Sequence, residues 1–123
     1  MSINFLHLFP AQLGQNGEAG NLNCLTQRLS WGQHQSSVQI FDGSAPVPTK
    51  IDAVFIGSGT LAGALEALGK LGDQASALRE LALSGIPFFA VGLGWEILGQ
   101  SIKLLDGTTI PGAGVFPSRS TRV

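Results

Sequence analysis

Cysteine is almost absent from the chain. Cys24 stands alone, so no disulfide can form within the polypeptide, and a lone thiol fits a reducing compartment. Histidine is scarce too. His7 and His34 are far apart, and together with Cys24 they offer no metal-ligand spacing. Neither a metal nor another cofactor is expected. Charge is also sparse: charged residues make up 12% of the chain, about half of the roughly 25% usual in soluble proteins. A face that avoids charge is often a face that becomes covered, which points to a permanent partner or an incomplete chain. The net charge of −1 comes with no basic stripe, so nucleic-acid binding loses its main physical support. Long apolar runs are missing as well. The longest, from Ile86 to Ile97, contains Glu96 and falls well short of the ~20 residues that a membrane span needs. No Lys or Arg precedes Arg28, so the apolar N-terminus reads as a first strand rather than a secretory signal. A cytoplasmic protein without membrane insertion is expected.

What is present is one domain's worth of core. A chain of 123 residues with 44% apolar content can close a single core. Ile3 to Phe9 reads as a strand, and Pro10 to Gly20 as a loop broken by Gly14, Asn16, Gly17 and Gly20. Asn21 to Trp31 reads as a helix, with Leu22, Cys24, Leu25 and Leu29 on its buried stripe. Val38 to Phe41 is a short second strand, followed by a surface loop with two prolines. Asp52 to Ile56 is a third strand, apolar enough to be buried on both faces. After the turn G-S-G-T come helical stretches over Leu61–Leu71 and Asp73–Ser84. Phe88 to Val91 is a fourth buried strand, and Gly94 to Gln100 a short helix. Ile102 to Ile110 forms a hairpin closed by Asp106-Gly107, and a loose polar tail ends the chain.

Buried strands alternating with helices predict an α/β fold, a three-layer parallel sheet with helices on both faces. Ligands in such folds sit beyond the carboxyl ends of the strands. Three glycine-bearing loops fall at that edge: Pro10–Gly20, Gly57–Thr60 and Gly92–Trp95. Glycines there let backbone N–H groups approach a ligand closely. The most telling stretch is P-F-F-A-V-G-L-G-W-E-I-L-G, Pro87 to Gly99. It runs a strand into a helix through Gly92, where enzymes of this architecture keep a nucleophile on a sharp elbow.

Taken in order, these segments resemble a class I glutamine amidotransferase domain of the cobyric-acid-synthase-like branch. Within it, the closest likeness is to the glutaminase subunit that pairs with a Mur-ligase-like protein to amidate lipid II during peptidoglycan synthesis. Leu8-Phe9-Pro10 is similar to the end of that branch's opening strand, and Gly17-Glu18-Ala19-Gly20-Asn21 to its G-D-x-G-N loop. D-A-V-F-I-G-S-G, Asp52 to Gly59, resembles the strand and oxyanion loop. Pro87 to Gly99 resembles the nucleophile motif P-x-x-A-x-C-G-G-x-Q-x-L-G, and Asp106 to Phe116 the stretch that follows. The departures fall on the chemistry. The family's cysteine is Gly92, the next glycine is Leu93 and the glutamine is Glu96. The chain stops at Val123, before the region of the family's catalytic histidine, so the domain is expected to be shortened at its C-terminus.

The resemblance implies a glutaminase that attacks an amide with a thiolate paired to a histidine, over backbone N–H groups that hold the oxyanion. Here it implies a vestigial elbow at Gly92. An oxyanion or ligand loop would comprise Gly57, Ser58, Gly59 and the N–H of Leu93, with Glu96 and Asn21 as possible ligand contacts. A silent amidotransferase-type subunit with a Mur-ligase-like partner is the leading expectation. A non-catalytic scaffold on the same frame, a cobyric-acid-synthase-type relative and a flavodoxin-like nucleotide binder are the alternatives. The last is weakened by the spacing G-x-G-x-x-x-G over Gly57–Gly63. Each residue also has a plainer role. Cys24 reads as a buried inert thiol, and His7 as a hydrogen-bonded or edge histidine. His34 reads as solvated, Trp31 and Trp95 as core or interface anchors, and Glu96 as a favourable charge at a helix start. A homo-oligomer is a further expectation, because an exposed sheet edge recruits partners.

Overall fold

The computed structural model describes residues 2–15 and 18–123. Asn16 and Gly17, expected in the first loop, lie outside the described residues. The chain opens with β1 (Ser2–Leu8), α1 (Glu18–Trp31) and β2 (Gln35–Phe41). It continues through β3 (Ala53–Ile56), α2 (Leu61–Leu71), a 3-10 turn (Gly72–Gln74), α3 (Ala75–Leu83) and β4 (Phe88–Ala90). The last elements are α4 (Leu93–Leu98), β5 (Ser101–Lys103), β6 (Thr109–Pro111) and β7 (Arg119–Thr121).

Four strands form an all-parallel sheet in the order β2-β1-β3-β4. Alternation along β1 and β3 sends Leu6, Leu8, Val54 and Ile56 to one face, and all four are buried. They share a core with Ala64, Ala67 and Leu71 of α2 and with Leu78 and Leu81 of α3. Each fully buried leucine or isoleucine contributes about 1.5–3 kcal/mol by leaving water. α2 begins where Thr60 caps it, accepting a 3.0 Å hydrogen bond from the Gly63 N–H. It stops at Gly72, whose φ of +52° no regular helix accepts.

The opposite face carries Phe5 and His7 on β1, Phe55 on β3 and Phe89 on β4. Phe5 and Phe55 meet edge to face at 5.7 Å, and Phe55 and Phe89 lie tilted at 5.4 Å. This row grows more exposed toward β4, where Phe89 is 51% exposed. Two expectations are corrected here. β4 is a half-exposed edge strand rather than a buried one, and β3 is buried on one face only.

Other differences follow from tertiary pairing. Helix α1 starts at Glu18, so Ala19 and Gly20 are helical rather than part of the expected loop. Leu22 is buried, but Cys24 is exposed rather than inert inside the core. Trp31 is 72% exposed and Trp95 also reaches solvent, so neither anchors the core. Strand β2 is longer than its apolar part, because Gln35 to Ser37 pair in register with Ser2 to Asn4. His7 is buried on an inner strand, which removes the edge alternative.

The C-terminal part is a second, small sheet in the order β6-β5-β7. The hairpin pairs Ile102 with Ile110. Asp106 holds its tip by accepting the Thr108 N–H at 2.8 Å, and Gly107 supplies the positive φ that the turn requires. The supposed loose tail is strand β7, paired in parallel with β5. Ile102 belongs to the main core, which ties this sheet to the parallel one.

Candidate functional site at the β4–α4 bend

The three glycine-bearing loops converge at the carboxyl ends of β1, β3 and β4. The Gln15 N–H donates to the Ser58 carbonyl at 3.1 Å, joining the first loop to the second. A Cβ at Gly59 would lie 2.7 Å from the Gln12 carbonyl oxygen, and one at Gly63 would lie 2.5 Å from it. Both positions therefore need glycine so that the loop after β1 can rest on the start of α2. Backbone packing accounts for the spacing over Gly57–Gly63 without any nucleotide. Gly57 itself is buried, with its carbonyl against Gly94.

Gly92 stands between β4 and α4 with φ +55° and ψ −127°. L-residues reach that region only under strain. The bend is held by the Glu96 N–H donating to the Gly92 carbonyl and by the Val91 N–H donating to the Ile56 carbonyl, both at 3.1 Å. Ser58 occupies the space where a side chain at 92 would project. A Cβ there would overlap Ser58 Oγ and lie 2.9 Å from Ser58 Cβ. The same hydroxyl accepts the Leu93 N–H at 3.3 Å. The Leu93 N–H is thus already engaged by a side chain of the neighbouring loop.

Leu93 itself is buried. Glu96 turns to Arg122, whose Nη2 lies 3.4 Å from Glu96 Oε2. Asn21 is exposed on α1 and does not line the cleft beside Leu93. The structure therefore brings Gly57, Ser58, Gly59, Gly92, Leu93 and Glu96 together and leaves Asn21 out. Neither Cys24, on α1, nor His7, on β1, nor His34, in the turn after α1, lines that cleft.

A cleft of about 550 Å³ opens next to the bend, lined by Gly59, Leu61, Leu93, Leu104, Leu105, Asp106 and Arg122. Its last four residues come from the C-terminal sheet. Leu104, Leu105 and Asp106 lie in the hairpin that the sequence predicts, though not as part of a site, and Arg122 was missed because S-R-S-T-R-V carries almost no strand signal. Asp106 is held as a carboxylate. The backbone N–H of Thr108, followed by its hydroxyl, keeps its pKa below the ordinary value. A larger cleft of about 630 Å³ lies between the loop after β1 and the start of α2, lined among others by Gln12, Thr60 and Glu66. Among the described residues no group of three His, Cys, Asp or Glu side chains could hold a metal ion. No helix among them is long and apolar enough to cross a membrane.

The fold and site define an α/β protein with a parallel sheet and a sharp bend after its edge strand. No protein-family model matches the chain, and no curated protein matches it.

Proposed function

We propose that this chain is a catalytically silent relative of the class I glutamine amidotransferase domains. It would lie nearest the glutaminase subunit of lipid II isoglutaminyl synthase and act by binding a Mur-ligase-like partner. The three-layer arrangement of that fold, with helices on both faces of the sheet, is part of the proposal. One observation carries it. Gly92 stands at the turn from β4 into α4, the position where the resemblance puts the nucleophile, with φ +55° and ψ −127°, and Ser58 stands where a side chain there would project. Glycine makes that conformation affordable once no thiol is required.

The chemistry fails at two points. No thiol or imidazole lines the cleft beside Gly92, so neither the attack nor the protonation of ammonia has an agent. The Leu93 N–H already donates to Ser58, so the stabilising term that survives in disabled triads is also reduced. The test is ammonia release from glutamine by the purified chain, with and without the Mur-ligase-like protein. The expected outcome is a stable complex and no glutamate formed by this chain alone. Glutamine turnover at enzymatic rates by the isolated chain would refute silence, and failure to form the complex would refute the partner.

A further inference from the structure

We propose that the cleft beside Leu93 binds small amphipathic amines, with the apolar body against its leucines and the ammonium group at Asp106. This goes beyond the functional reading above and does not depend on it.

The walls set the body of the ligand. Leu61, Leu93, Leu104 and Leu105 line it from three separate segments, beside Gly59. Leu105 is 78% exposed at the hairpin tip, an apolar surface that gains by being covered. The volume of about 550 Å³ lies within the roughly 300–1,000 Å³ of small-molecule sites. The position also fits, since open parallel sheets bind ligands beyond their strand carboxyl ends.

The polar groups set the charge. Ser58 takes the Leu93 N–H, so that donor is not free for an amide or carboxylate. Arg122 is the one cation lining the cleft, and Glu96 already neutralises it at 3.4 Å. Asp106 is different. Among the described residues no cation lies within ion-pair distance of it, and like any carboxylate it is ionised at neutral pH, with the Thr108 hydrogen bonds holding its pKa below the ordinary value. With Arg122 paired to Glu96, Asp106 is the one unpaired charge lining the cleft. A cationic end is attracted and an anionic end repelled. The contribution is modest because Asp106 is open to water.

The test is a ¹H–¹⁵N NMR titration with three probes of equal apolar body: hexylamine, hexanol and hexanoate, at neutral pH and low ionic strength. Hexylamine should shift the amides of Leu93, Leu104 and Leu105 saturably. It should bind roughly two- to fivefold more tightly than hexanol, as one exposed charge pair allows, with hexanoate weakest. Raising the salt should narrow that gap. Asp106→Asn keeps a side-chain acceptor and a favourable residue before Gly107, so the turn survives. It should bring hexylamine down to the level of hexanol and leave hexanol unchanged. Leu105→Ser should weaken all three. The proposal is overturned if no probe gives saturable shifts, if the shifts map elsewhere, or if hexanoate binds as tightly as hexylamine. It is equally overturned if Asp106→Asn leaves the ratio intact or Leu105→Ser changes nothing.

Discussion

A side chain at position 92 has nowhere to go. The positive φ alone costs a non-glycine residue about 1–3 kcal/mol, and Ser58 stands where the Cβ would project. Gly92→Ala should therefore lower unfolding stability by at least that strain. In a Ser58→Gly background the steric part of the loss should disappear, leaving the backbone part. A double-mutant cycle from urea unfolding reads the difference as a coupling between the two sites. Purely additive effects would remove the steric account. The same geometry means that Gly92→Cys would not by itself create an amide-hydrolysing site. The thiol would compete with Ser58 for space and would find no imidazole among the residues lining the cleft. At this scale the sequence shows that position 92 carries no side chain. It did not expose the serine, because Ser58 and Gly92 are brought together only by the pairing of β3 with β4.

Among the elements, α2 was the most legible. Its apolar spacing, its threonine cap and its terminating glycine all point to one span, Leu61–Leu71. The cap should be measurable. Thr60→Ala removes the acceptor for the Gly63 N–H and should cost about 0.5–2 kcal/mol in a denaturant melt, the usual range for a lost N-cap. An unchanged melt would mean that water replaces the hydroxyl without penalty. β2 and β7 were legible only in part or not at all. Gln35, Ser36 and Ser37 have no apolar alternation, yet they pair with β1 as an edge strand. β7 is three polar or charged residues, Arg119 to Thr121, paired with β5. Backbone pairing at an edge does not require apolar side chains, so hydrophobic periodicity cannot report it. Cys24 failed for a related reason. Its helical spacing suits a buried stripe, but α1 buries Leu22 and leaves Cys24 exposed.

Taken as a whole, the molecule should lose stability in acid for a specific reason. Asp42 accepts the hydroxyl and the N–H of Ser44, and Asp106 accepts the N–H of Thr108. Both folded-state pKa values are lowered, with the Ser44 hydroxyl leading for Asp42 and the Thr108 N–H for Asp106. The unfolded chain then binds more protons than the folded one just below the ordinary value of 3.8. Stability therefore rises with pH through that window. It is complete above the ordinary value and lost as pH falls through the lowered ones. Urea midpoints should drop as pH is lowered below about 4, and Asp42→Asn with Asp106→Asn should flatten that slope. A slope unaffected by both changes would assign acid sensitivity to other carboxylates.

The sequence by itself determined the alternation of strands and helices, the three glycine-bearing loops and the absence of a thiol at the bend. These are local properties, written in apolar spacing and in residue identity. The tertiary structure decided which strand became an edge, which cysteine face met water and where Arg122 went. It also put Ser58 against Gly92 and built a leucine-lined cleft from the C-terminal sheet. Those outcomes depend on contacts between residues distant along the chain, and hydrophobic burial is non-directional. Only the assembled core fixes which of its possible partners each segment meets.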